Sequence, residues 1–451
     1  MPSHVRVDAF RRRQACCGLA QQPEPMAGQE KAEARTVEKP DLLILGLDRQ
    51  ALEIGLAIAT LGGKVVVART AETAVTQAIR DGEMLVRLVS AGDSIAFEAR
   101  RLAILEDIRR QRSTERLRAA RIQVMMGPAR FLGRRRILIG EAPFEPRRVL
   151  LASGRRATAP PEALHALFEQ GKVPRRLILR GASMEALDLA GLLMRLGAEV
   201  TLLGESPAAP DFDPDGVRLL LDRLERQGLV RLPAMPAARP ADLPLWDIGS
   251  PLPALDGLDL DKAGIRLGDG RLVLRNGFET TNARVFALGR AAEPDQPADP
   301  GAVAHLIGRM FFRRSGNFAP QPRLRLLGGE GGLAETGLTE REALALGAVQ
   351  IARAAFSDAD PSDLSGGFVK LLGDGKGRLR GASLYGPGSA ERLPVLALAL
   401  GQGLTLTEIA RLPFPAGSAS DAIRLAAASP ARGLLRSAGI QRAFRFFRFL
   451  G

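Results

Sequence analysis

Histidine and cysteine are nearly missing from this chain: its 451 residues hold three of the first, His4, His165 and His305, and two of the second, the adjacent Cys16 and Cys17. Two neighbouring cysteines cannot frame a disulphide-stapled fold, so a reducing, cytoplasmic setting is expected and the pair reads as fortuitous. His165 in EALHALFEQ and His305 in AVAHLIGRM fall on predicted helices and are read without a partner ligand at i+3 or i+4, which leaves no metal site. Aromatics make up only 4%, with one Trp and one Tyr, too few for a base-stacking nucleic-acid surface. Also lacking is any unbroken apolar run of about 18 residues, so no transmembrane helix is expected. The opening MPSHVRVDAFRRRQACCGLA carries arginines with no apolar stretch behind them. Residues 1–39 therefore read as a disordered arm rather than a secretory signal, with a transit peptide as the second reading and Met26 as an alternative start.

What is abundant is positive charge. Sixty-three Lys and Arg against fifty Asp and Glu give +13, a field that attracts anionic membranes, acidic proteins and nucleic acid. No nucleic-acid motif accompanies it, so that partner ranks last. At about 150 residues per domain the length suggests roughly three domains.

The fold class comes from an internal repeat. LLILGLDRQALEIGLAIATLGGKVVVA, residues 42–68, reads as apolar strand, glycine turn, amphipathic helix and second strand. The pattern returns 135 positions later in LILRGASMEALDLAGLLMRLGAEVTLL: Gly181 falls on Gly46, Ala186 on Ala51, Leu196-Gly197 on Leu61-Gly62 and Val200 on Val65. Two matched βαβ units predict an α/β chain with two Rossmann-like dinucleotide-binding domains.

Several further segments, in order, carry a family likeness. A buried strand closes at Ser153-Gly154 where a family pattern has A-T-G; TTNARVFALGRAAE follows, then AETGLTEREALAL, GGFVKLLGDGKGRLRGASLYGPGSAE and LALALGQGLTLTEIARLPFP. In these the chain resembles the pyridine nucleotide-disulphide oxidoreductases, especially their mercuric reductase-like and dihydrolipoyl dehydrogenase-like branches, over about residues 40–430. The resemblance implies a discontinuous FAD-binding-like domain at 40–160 and 275–318, an NAD(P)-binding-like domain at 161–274, and an α+β dimerisation domain at 319–428 that makes a homodimer. It implies FAD and NAD(P) as cofactors, with Gly46, Asp48, Ala51, Arg69, Ser153, Gly154, Gly289 and Arg290 in the first site and Gly181, Ser183, Ala186, Asp188, Glu205 and Gly249 in the second.

Both sites depart from the family pattern. The second fingerprint glycine lets backbone approach the pyrophosphate, and the third lets helix pack on strand. Asp48 and Ala51 stand there in the first unit, Ser183 and Ala186 in the second. A carboxylate at Asp48 would face two phosphates at the helix N-terminus, costing about 3 to 4 kcal/mol per charge pair at 4 to 5 Å and an effective dielectric near 20. Ala68 replaces the ribose-binding acid, and Arg290 the acid that holds the ribityl chain. Asp188 conservatively replaces a Glu, and Glu205 is read as a solvated loop carboxylate that still has reach to a ribose. The redox centre departs further: Met84 and Val89 occupy the two cysteine positions, Ala416 that of the C-terminal base and Asp421 that of its acid. Neither thiol exchange nor general-base chemistry has an agent.

The last segment, 429–451, reads as a basic amphipathic helix, with Arg432, Arg436, Arg442, Arg445 and Arg448 among Leu434, Leu435, Ile440, Phe444, Phe447 and Phe449 and no acid. It suits an anionic membrane or an acidic protein groove as well as docking on its own dimer. The whole reads as a non-catalytic dimeric scaffold. The alternative is a flavin- and NAD(P)H-dependent oxidoreductase that transfers hydride directly, with Arg69 and Arg290 holding phosphates in an altered pose.

Overall fold

The computed structural model describes residues 37–69, 74–80, 82–90, 94–156, 161–204, 208–235, 243–248, 252–275, 278–292, 300–312, 322, 324–347, 349–435 and 438–450. His4, Cys16, Cys17 and the proposed arm up to Thr36 lie outside them, as do Glu205 and Gly249.

The first βαβ unit is β1 (Leu42–Gly46), α1 (Arg49–Thr60) and β2 (Val65–Arg69). Leu42, Leu43, Ile44, Val66 and Val67 are fully buried, because helices or a second layer cover both sheet faces. Three helices, α2 (Ala74–Arg80), α3 (Glu83–Leu88) and α4 (Ser94–Gln111), then a fourth, α5 (Thr114–Ala119), lead to β3 (Ile122–Met126). An antiparallel sheet of β4 (Ala129–Phe131), β5 (Ile137–Ile139) and β6 (Ala142–Phe144) precedes β7 (Arg148–Ala152). After α6 (Pro161–Phe168) the second unit repeats the design as β8 (Arg176–Arg180), α7 (Met184–Arg195) and β9 (Glu199–Leu203), continuing through α8 (Pro214–Arg226), β10 (Val230–Leu232) and β11 (Leu245–Asp247). Its parallel order is β10-β9-β8-β11. In α8, Asp213 caps the N-terminus, Pro214 opens the first turn, and Val217, Leu220, Leu221 and Leu224 form one buried stripe.

A short hairpin, β12 (Leu267–Gly268) with β13 (Arg271–Leu272), precedes β14 (Val285–Ala287), which re-enters the first sheet beside β7. That sheet is parallel throughout, in the order β14-β7-β1-β2-β3. The return begins earlier than the pattern suggested. Leu255, Leu258, Leu260, Ala263, Ile265 and Leu272 pack into one cluster with Leu43, Leu45 and Phe131, so residues 252–274 belong to the first domain's core rather than the middle domain.

After α9 (Pro300–Phe311) an antiparallel sheet forms from β15 (Leu324–Leu327), β16 (Leu333–Gly337), β17 (Val349–Ala355), β18 (Phe368–Asp374) and β19 (Leu379–Tyr385), in the order β15-β16-β19-β18-β17, with α10 (Glu340–Ala345) between β16 and β17. One core cluster joins it to α11 (Ser389–Gly401), α12 (Leu406–Ile409) and α13 (Asp421–Leu435). On either side of residues 436–437 the basic tail is helical: α13 continues through Pro430 to Leu435, and α14 spans Ala438–Leu450, its residues 439–448 all exposed. Among the described residues no helix is long and apolar enough to cross a membrane.

Candidate functional site: two self-capped nucleotide crevices

The first crevice opens where β1 ends. Gly46 has φ +120°, and a side chain there would run into the Ala152 carbonyl, so glycine is required for the tight turn. Asp48 then caps α1, with Oδ1 accepting from the Gln50 amide at 2.9 Å and the Ala51 amide at 3.2 Å. Burial pushes its carboxyl up, against those two bonds and the nearby Arg112 charge; Glu83 pushes it further up. On its other side, a Cβ built on Gly289 would stand 2.6 Å from Oδ2. The carboxylate thus fills the gap between the N-terminus of α1 and the turn holding Gly289 and Arg290. A diphosphate in the fingerprint pose needs those amides and that gap, so the residues present do not fit a flavin dinucleotide in that pose. Ala51, fully buried, serves the close helix packing expected of the third glycine.

The remainder of this crevice is a cavity of about 450 Å³ whose lining includes Ala68, Arg69, Ser153, His165 and Asp256. His165 pairs with Glu169, one turn on, an acid that the reading of His165 as a residue without an i+4 partner missed. Glu169 also binds Arg109, and among the described residues no group of three or more metal-ligating side chains forms.

In the second unit Gly181 has φ +148° and lies against the Ile248 carbonyl. Ser183 caps α7, its Oγ accepting from the Ala186 amide at 3.3 Å. Both helix N-termini that a nucleotide would use therefore bond to the chain's own side chains. Asp188 is buried and accepts from the Gly328 amide at 2.6 Å, and desolvation carries its carboxyl to about 7. A crevice of about 320 Å³ remains beside Gly181, Gly204 and Arg231; Arg231 pairs with Glu225.

At the positions matched to the redox thiols, Met84 lies on α3 with no exposed surface. Val89 departs from the core reading: it is the half-buried C-cap of α3, and its carbonyl accepts from Arg195. Just beside α3, Arg155 lies over Gly82 and donates through Nη1 to Glu185 at 2.8 Å, a buried ion pair tying the turn after β7 to the start of α7. Ala416 is exposed. Asp421 is held by both arms of Arg424, at 2.6 and 2.8 Å, which lowers its pKa. That acid is engaged by an arginine on its own helix.

Six charged groups that the sequence did not single out join the middle domain to the C-terminal sheet. Lys370 has no exposed side chain, and its Nζ meets Asp213 at 2.6 Å, Asp215 at 2.6 Å and Glu340 at 2.8 Å. Burial opposes its charge, yet the three carboxylates prevail and raise its pKa. Glu335, carried to about 7 chiefly by burial, accepts from the Asp213 amide at 2.6 Å and pairs with Arg325 at 2.8 Å. A lysine inside the apolar run that opens the strand FVKLLGD was the one sequence signal for this network.

The comparisons with known proteins agree with this architecture. A model of the pyridine nucleotide-disulphide oxidoreductase dimerisation domain matches residues 331–427, which include β16 to β19. Dihydrolipoyl dehydrogenase of Thermus scotoductus is 26% identical over 351 residues, covering 69% of this chain and 76% of its own. Mercuric reductase of Shigella flexneri is 28% identical over 353 residues, 68% of this chain and 62% of that protein. The HOCl-induced flavoprotein disulfide reductase RclA from Escherichia coli superposes with a TM-score of 0.71 at 17% identity, covering 86% of this chain and 99% of that one. Two repeated βαβ units, a strand that re-enters the first sheet and a matched C-terminal domain are the features in which this chain is similar to the pyridine nucleotide-disulphide oxidoreductase family.

Proposed function

We propose that this chain is a non-catalytic, homodimeric scaffold or regulatory partner, working through binding rather than turnover. The observation that carries the reading is the pair of redox-thiol positions, where a buried thioether, Met84, and an isopropyl group, Val89, stand in place of sulphydryls. Neither provides a nucleophile, and Ala416 provides no base. Proteins of this family bind FAD and NAD(P) and dimerise through the matched domain. Asp48 and Ser183, each bonded to its own helix, support the view that cofactor recognition has been lost along with the thiols.

The test is the absorbance of the purified protein between roughly 350 and 500 nm, with a melting curve taken with and without added FAD. A colourless protein whose melting temperature FAD leaves unchanged is the expected result, since FAD at 100 times its dissociation constant would stabilise by about 2.7 kcal/mol. A stoichiometric yellow protein that oxidises NADPH would overturn the scaffold and favour direct hydride transfer.

A further inference from the structure

The cavity at the carboxyl ends of the first sheet has lost its diphosphate position to Asp48 but keeps about 450 Å³ of space. Ligand sites of that size are ordinary for small molecules. Its charged lining is nearly self-compensated: Arg156 donates to Asp256 at 2.5 Å, and His165 pairs with Glu169. Arg69 is the exception. Its Nη1 donates to the Thr114 hydroxyl at 3.0 Å, its buried Nε has no hydrogen-bond partner, and among the described residues no carboxylate pairs with it. Desolvation lowers its pKa, as expected for a guanidinium enclosed by protein without a counter-charge. A half-buried cation left in this state favours any ligand that brings an anion to it.

The position of Arg69 narrows the ligand. It is the last residue of β2, directly after Ala68 at the place of the ribose-binding acid, where a βαβ unit meets the ribose 2′ position of a bound nucleotide; an acid takes the hydroxyl, whereas an arginine nearby accommodates a 2′-phosphate. The neighbouring wall, including Leu45, Ala68, Pro128 and Leu258, is apolar enough to hold a base and sugar. We propose that this cavity binds a nucleoside 2′-phosphate without a 5′-diphosphate, its phosphate on the Arg69 fork and its nucleoside against that wall. Such a ligand is not the flavin dinucleotide of the family, which would extend into the Asp48 gap, and the proposal does not depend on the scaffold reading.

The experiment is calorimetric titration of the full-length protein with adenosine 2′-monophosphate, set beside adenosine, adenosine 5′-monophosphate, FAD and inorganic phosphate. Saturable binding of the 2′-phosphate is expected, with adenosine and the 5′-phosphate at least tenfold weaker. Arg69→Ala should lose at least tenfold in affinity, and Arg69→Lys should lose less, because lysine keeps the charge but not the bidentate fork. Ligand-free melting curves of the variants check that they fold. Should one fail, the ³¹P resonance of the 2′-phosphate with unmodified protein decides: a saturable shift supports the site. No saturable binding, equal binding of the 5′-phosphate, unchanged affinity in Arg69→Ala or tighter binding of FAD each overturns the proposal. Inorganic phosphate binding as tightly as the nucleotide would reduce the site to an adventitious anion position and overturn it too.

Discussion

Asp48 and Gly289, 241 positions apart by their numbers, meet where α1 begins: Oδ2 of the aspartate lies so close to the glycine that a Cβ on it would stand 2.6 Å away. The same carboxylate supplies the helix cap, so one side chain both stabilises α1 and fills the diphosphate position. Asp48→Gly separates these roles. Glycine caps within a few tenths of a kcal/mol of aspartate, so the variant should melt close to the unmodified protein. Removing the carboxylate takes away a repulsion of about 3 to 4 kcal/mol per phosphate charge, and FAD affinity should rise by two or more powers of ten, read by quenching of flavin fluorescence. Because burial raises the Asp48 pKa, acidification neutralises it sooner than an ordinary aspartate, and weak FAD binding by the unmodified protein should improve as pH falls. An Asp48→Gly protein with unchanged FAD affinity would show that something other than this carboxylate closes the site.

Asp188 and Glu335, both carried to about 7, give the seam between the middle domain and the C-terminal sheet a pH dependence of its own. Each bonds across the seam, Asp188 to the Gly328 amide and Glu335 to the Asp213 amide. With folded values raised above unfolded ones, their stabilising contribution is complete only below about pH 4 and is lost as pH rises through about 7. Asp188→Asn keeps an acceptor for Gly328 and removes the titration. Relative to the unmodified protein, its stability against unfolding should rise by about 1 to 4 kcal/mol between pH 5 and pH 8, measured by urea denaturation. Parallel pH profiles for the two proteins would refute the assignment.

Much of this architecture was legible because the repeat is a repeat of physical constraints. Shifting α1, Arg49–Thr60, by 135 positions gives Met184–Arg195, the observed bounds of α7. A glycine closes the turn out of each strand, Gly46 at the end of β1 and Gly181 just after β8, and the residue before each helix is a good N-cap, Asp48 or Ser183. That capping role was the available sign that Asp48 would turn inward onto its own amides rather than project at a ligand. What stayed hidden was long-range charge pairing. Arg155 finds Glu185 and Lys370 finds Asp213 across 157 positions, and neither local periodicity nor motif spacing encodes such partners. Residues 252–274 were misplaced for a related reason. Their scattered leucines show no strong period, and only the apolar face under β1 and the small antiparallel sheet gives them a side to bury.

Lys370 concentrates three of those hidden partners. Lys370→Met replaces a fully buried ammonium with an apolar chain of similar length and leaves Asp213, Asp215 and Glu340 facing one another. Removing one side of a buried ion cluster costs about 3 to 5 kcal/mol. Arg353, which reaches Asp215 at 3.0 Å and Glu340 at 3.2 Å, places the expected loss toward the lower figure. Equal stability of variant and unmodified protein at pH 7 would mean that the cluster is energetically neutral.

The exposed face of α14 makes the last prediction. Ile440, Phe444, Phe446 and Phe447 are 41% to 68% exposed, and Ile440, Phe444 and Phe447 share one face at helical spacing. Arg442 and Arg445 lie on the opposite side and Arg448 on the flank of that face, with no acid anywhere in residues 430–451. A helix of this kind lies in a lipid headgroup region, apolar side down, and each arginine near an anionic surface contributes about 1 kcal/mol. The full-length protein should therefore float with phosphatidylserine-containing vesicles and not with neutral ones, and 1 M salt, with a screening length of about 3 Å, should release most of it. Truncation after Leu435 should abolish flotation while leaving the homodimer, measured by sedimentation, intact. If the truncated chain still floats, the membrane contact lies elsewhere; if it turns monomeric, α14 covers the dimer rather than a bilayer.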